Sequence, residues 1–151
     1  MITLKSSHEI DLMRQAGKIT AAARALAGEM VKPGVTTQEI DKAVEAFIRQ
    51  QGAVPSFLGY SGYPASACIS VNDEVIHGIP GKRVLQEGDI VSIDVGAFIG
   101  GFHGDCAATF ACGQISEEAQ RLIDVTRQSF FEGIRFAKEG YRLYDISAAI
   151  Q

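Results

Sequence analysis

The sequence predicts an α/β chain of the α+β kind, in which long amphipathic helices accompany an antiparallel sheet. Three observations predict it. Two capping-box patterns each precede apolar residues at helical spacing; residues 90–110, "IVSIDVGAFIGGFHGDCAATF", alternate with the period of a strand; and a segment near the C-terminal end repeats one near the start at a constant offset. With 151 residues the chain has the size of one domain, able to bury about two-thirds of its unfolded surface.

Ser6 and Glu9 form the first capping box. Ile10, Met13, Ala16, Ile19, Ala23, Leu26 and Met30 follow at helical spacing, so a helix is predicted to about residue 31, where Lys32-Pro33-Gly34 breaks it. Thr36 and Glu39 repeat the logic ahead of Ile40, Val44, Phe47 and Ile48, which places a second helix up to about Gln50, ended by Gly52. Residues 53–66, rich in Gly, Pro and Tyr, read as a shaped loop. "ACISVNDEVIHG" reads as a hairpin turning at Asn72-Asp73, which pairs His77 with Cys68. A second hairpin lies in residues 90–110, and residues 115–140 read as a further long helix capped by Ser116.

"VKPGVTTQEIDKAV" (31–44) and "AKEGYRLYDISAAI" (137–150) align without gaps, with Lys32 on Lys138, Gly34 on Gly140, Ile40 on Ile146 and Ala43 on Ala149. Each follows a predicted long helix. The match implies a two-fold design of which this chain holds the first half and the start of the second, so that residues 1–151 form a single but incomplete domain.

Composition excludes several classes of function. A net charge of -4 without a basic run argues against a nucleic-acid surface. Three cysteines without C-x-x-C spacing indicate neither a disulfide framework nor a zinc knuckle, and point to reduced thiols and a cytoplasmic location. No apolar run is long enough to span a bilayer, and the N-terminal residues contain no signal-peptide h-region, so no membrane partner is expected.

The two aspartates in the second hairpin are the main chemical signal. A four-residue loop at "FIGG" would set Asp94 directly opposite Asp105, both on the face away from Val91, Ile93 and Val95. At about 5 Å and an effective dielectric near 20 the bare repulsion is roughly 3 kcal/mol. No Lys or Arg occurs between Arg83 and Arg121 to offset it locally. Bound divalent metal suits this pair, since strand-borne carboxylates hold their oxygens at fixed separation; a shared proton and simple solvation on an exposed strand remain alternatives. His77 is a second candidate. His103 shares the parity of Asp105 and sits at the hairpin mouth, whereas His8 belongs to a helix start.

"GYSGYPASACISVNDEVIHGIP" followed by "GDIVSIDVGAFIGGFHGD" resembles the N-terminal half of the bacterial type I methionine aminopeptidases, and the likeness runs over the whole chain. It implies the pita-bread fold, two pseudo-symmetric halves with an antiparallel sheet and long helices on one face, and hence a catalytic-type domain. It also implies two divalent metal ions of the Mn, Fe, Co or Zn kind, with Asp94 on one ion and Asp105 bridging the pair. His77 matches a histidine that contacts the substrate near the scissile amide without binding metal. Tyr60, Tyr63, Cys68 and Phe57 match the walls of the pocket for the methionine side chain, which suits a polarisable thioether. Ser61 departs from the larger polar residue of many relatives.

The reaction so implied is removal of the initiator methionine from nascent chains, with N-terminal methionine as substrate, the ribosome as an associated partner, and no role for nucleic acid or membrane. The remaining ligands, one His and two Glu, are implied to lie beyond Gln151, so the chain alone is expected to be inactive or very weakly active. Two other readings stand beside this one. A non-catalytic pita-bread module would bind peptides or proteins without cleaving them, and a half-fold could pair with itself as a homodimer.

Overall fold

The structure, a computed structural model, describes residues 3–151. It divides into two compact units, one reaching Gln114 and the other starting at Ile115.

In the first unit, α1 (Ser7–Glu29) and α2 (Thr37–Gln50) begin where the capping boxes place them: the Ser6 and Thr36 hydroxyls accept from the N–H groups of Glu9 and Glu39, whose carboxylates accept from the cap N–H groups in return. The buried positions of α1 are Ala16, Thr20, Ala23 and Ala27, a stripe of small side chains that lets the helix lie close on the sheet. This stripe is narrower than the apolar spacing predicts, and Ile10 and Met13 are exposed. Helix α2 buries Ile40, Val44 and Ile48 completely, each worth roughly 1.5–3 kcal/mol of transfer free energy.

The sheet holds β1 (Val54–Pro55), β2 (Ala67–Val71), β3 (Ile90–Ile99) and β4 (Phe102–Ala111), all pairs antiparallel. β3 is central. β1 and β2 share one of its edges, at its C-terminal and N-terminal parts respectively, and β4 takes the other. Alternation divides the sheet faces as the sequence predicts: Ile69, Val71, Val91, Ile93 and Val95 join α1 and α2 in the core, which leaves Cys68, Ser70, Asp94 and Asp105 on the opposite face.

Two hairpin expectations are corrected. β3 and β4 are joined by the two residues Gly100 and Gly101, not by the four of "FIGG", and both glycines have positive φ, 60° and 87°. That is the backbone a two-residue turn between twisted strands needs, and it frees Phe98 and Ile99 to extend the strand. The register therefore slips by two residues. Asp94 faces Ala107 and Asp105 faces Gly96, so the carboxylates are diagonal neighbours rather than direct partners; a slip of two keeps both on the same face.

The Asn72-Asp73 hairpin does not form. β2 ends at Val71 and pairs with β3, setting Cys68 beside Asp94 instead of His77. The Asn72 side chain ties the chain to β3 instead, donating to Asp89 and accepting from the Ile90 N–H, and the Glu74 carboxylate accepts from the Val71 N–H. A ladder from Glu74 onward is further blocked by the left-handed backbone of His77 and by Pro80.

In the second unit α3 (Glu117–Ile134) is capped by Ser116 as predicted, but is shorter than residues 115–140. α4 (Leu143–Ile150) follows, with the Asp145 carboxylate accepting from the Arg142 N–H.

Candidate functional site

β3 presents Asp94 at the centre of the sheet, flanked by Cys68 on β2 and Ala107 on β4. The carboxyl is half-buried, and its Oδ1 is fully enclosed without any hydrogen-bond partner. Burial pushes its pKa up, and the like charge of Asp105 pushes it further; His77 and the Val95 N–H act in the other direction. Asp105 is exposed on the same face.

Above these carboxylates opens a pocket of about 620 Å³. All seven residues singled out from the sequence line it: Phe57, Tyr60, Tyr63, Cys68, His77, Asp94 and Asp105. Pro64 and Ile79 add apolar wall that sequence reasoning did not pick out. Tyr60 begins a short 3-10 turn (Tyr60–Gly62) in which Ser61 has φ 47°, bracketed by left-handed Gly59 and Gly62. The turn explains the Gly-Tyr-rich composition, because successive positive-φ residues fold the loop back on itself.

The Tyr63 hydroxyl is a hinge of the wall. It donates toward the carbonyls of Ala67 (3.1 Å) and Gly78 (3.0 Å), and burial raises its pKa, so the phenol stays protonated. Burial also raises the Cys68 thiol, and the carboxylates around it add to the effect. The result is a neutral wall beside an acidic floor. His103, the other histidine of matching parity, bonds Ser56 through Nδ1 at 2.8 Å and packs on Phe98, so its ring is occupied by the hairpin mouth.

Asp41 on α2 was not legible as part of the site. Its Oδ1 accepts from the backbone N–H groups of Ser66 and Ala67, both at 2.9 Å, and so anchors the end of the pocket loop where β2 begins. Burial raises its pKa, the two N–H bonds opposing. Only the helical position of Asp41, one residue after buried Ile40, hints at this contact.

The arrangement suits a divalent cation: one buried carboxylate oxygen without a partner, and a second carboxylate diagonal to it on the same face. It is a partial ligand set. Among the described residues no group of three or more His, Cys, Asp or Glu side chains converges to hold a metal.

A family model, "Metallopeptidase family M24", matches residues 11–151. The chain belongs to this family. Curated proteins similar to it include a methionine aminopeptidase of Clostridium acetobutylicum, 55% identical over all of this chain and 61% of the relative, and methionine aminopeptidase 1 of Bacillus subtilis, 49% identical with the same coverage. Among solved structures, the methionine aminopeptidase of Rickettsia prowazekii superposes with a TM-score of 0.98 at 38% identity, covering all of this chain and 61% of that one. That of Thermotoga maritima gives 0.97 at 41%, with the same coverage. A prolidase of Pyrococcus furiosus, at 22% identity and a TM-score of 0.86, shares the fold. The fold is therefore the pita-bread fold, and the chain spans about 61% of the length of these two curated relatives. No helix among the described residues is long and apolar enough to cross a membrane.

Proposed function

We propose that this chain is the N-terminal part of a cytoplasmic methionine aminopeptidase that removes the initiator methionine from nascent proteins. The observation that carries the reading is the unpartnered Oδ1 of Asp94, with Asp105 diagonal to it at the floor of an aromatic and thiol-lined pocket. A buried acceptor left without a donor costs about 1–3 kcal/mol, which a cation at that oxygen would offset.

Each residue has a role in this reading. Asp94 and Asp105 would be the residues of this chain that hold the ions. The ions, of the Mn, Fe, Co or Zn kind, supply carbonyl polarisation and an activated water when bound. Tyr60, Tyr63, Cys68 and Phe57 enclose the methionine side chain and exclude water from it, and the neutral thiol and phenol keep that wall free of charge. His77 reaches the peptide from the rim, orients the amide, and donates a hydrogen bond to it as the bond breaks. Two carboxylates do not hold two ions firmly, so further ligands complete the site. In keeping with the repeat, Gly34 and Gly140 have φ 92° and 89°, and the helices that follow both begin with a carboxylate accepting from the cap N–H.

The test is release of free methionine from a short methionyl peptide. The full-length protein should release it, lose activity to a chelator and regain it with one of these ions, whereas the 151-residue chain should release little or none. Peptide binding without cleavage under all metal conditions would favour the non-catalytic module.

A further inference from the structure

His77 lines the pocket from a left-handed backbone. Its φ is 58°, in the left-handed region, which costs a residue with a Cβ about 1–3 kcal/mol, although His is one of the side chains found there more often than most. The segment carrying it is exposed and has no strand partner, so the surrounding contacts must hold this conformation. They converge on the next residue. The Gly78 N–H donates to Ser70 Oγ at 3.0 Å, and the Gly78 carbonyl accepts from the Ile69 N–H at 2.9 Å and from the Tyr63 hydroxyl at 3.0 Å. A methyl group at Gly78 would run into the Ile69 carbonyl, so the approach to β2 requires glycine.

We propose that Ser70 is a positioning residue: its buried hydroxyl latches Gly78 to β2 and thereby holds His77 in the left-handed conformation that faces it into the pocket. Of the three bonds, this is the one that grips the peptide unit joining His77 to Gly78 by its N–H, so it acts directly on the backbone next to His77. Val71 and Glu74 secure the other side of the segment through the Glu74 carboxylate and the Glu74 N–H. With the latch open, His77 relaxes to negative φ and its ring leaves the pocket mouth. The inference rests on the reading of His77 given above for its kinetic consequence, but not for its structural one.

Amide exchange and the HN–Hα coupling of His77, measured by NMR on the chain, test the latch itself. Ser70→Ala should speed exchange at Gly78 by about tenfold relative to Ile93 and move the His77 coupling away from its left-handed value, and Ser70→Thr should restore both. Ser66→Ala, which removes a buried hydroxyl that has no partner, should change neither. Unchanged exchange and coupling in a folded Ser70→Ala chain overturn the proposal. If that variant does not fold, Ser70→Cys keeps the size of the side chain while replacing the hydroxyl acceptor with a weak one, and an unshifted His77 coupling there overturns it equally. In the metal-loaded full-length protein Ser70→Ala should lower kcat about tenfold with little change in KM. A His77→Ala variant of unchanged kcat defeats the role given to His77 and leaves the latch to NMR; a slow His77→Ala with a fast Ser70→Ala defeats the latch alone.

Discussion

Asp94 and Asp105 stand diagonally across the β3–β4 pair, Asp94 facing Ala107 and Asp105 facing Gly96. Diagonal Cβ atoms on one face lie somewhat under about 7–8 Å apart, which leaves room for a cation between the carboxyl groups. At about 7 Å and an effective dielectric near 20 the repulsion is roughly 2 kcal/mol, and exposure of Asp105 reduces it further. Without a cation the pair is a local liability that the fold tolerates.

Asp94→Asn should therefore stabilise the metal-free chain. Because the native carboxyl is raised, the folded state holds its proton more readily than the unfolded state, whose pKa is about 3.9. The linkage sign follows: stability contributed by protonated Asp94 is present at low pH and lost as pH rises through the raised native value. Urea melts should show the variant about 1 kcal/mol more stable at neutral pH, with the gap closing towards pH 4. A variant that is less stable at neutral pH, or a gap independent of pH, contradicts this account.

Asp41→Ala removes the acceptor for two backbone N–H groups at the base of the pocket loop. Stability should fall by about 2–3 kcal/mol, and amide exchange at Ser66 and Ala67 should accelerate. Asp41→Asn retains one acceptor oxygen and should lose less than half as much. Equal losses in both variants would mean that the carboxylate charge, rather than the hydrogen-bond geometry, is what matters.

Gly101 has φ 87°, and its side-chain direction is open space. Gly101→Ala should cost about 1 kcal/mol through backbone conformation alone, read as a drop of about 2–4 °C in Tm. A drop much larger than this would show that the register depends on more than the turn.

Helix starts and strand faces were legible because they depend on local chemistry. Ser6–Glu9 and Thr36–Glu39 fix their caps within one turn, and the alternation of Val91, Ile93 and Val95 sets the face of Asp94 whatever the register. The register itself was not legible, since Phe98 and Ile99 serve a loop or a strand equally well until β1 pairs with Phe98. The Asn72-Asp73 hairpin misled for a similar reason. Turn residues and flanking apolar residues were present, but β3 offered β2 a longer partner, and Asn72 and Glu74 spend their side chains on loop contacts. Asp41 and Ser70 reach the site through the backbone of distant segments, a relation that no local pattern encodes.

Addition of Mn(II) to the isotope-labelled chain, followed by paramagnetic broadening of amide signals, tests the metal assignment most directly. Broadening should begin at Asp94, Gly96, Asp105 and Ala107, and should be lost from these residues in Asp94→Asn and in Asp105→Asn. Broadening that starts at another acidic group, or that persists unchanged at this sheet face in both variants, would contradict it.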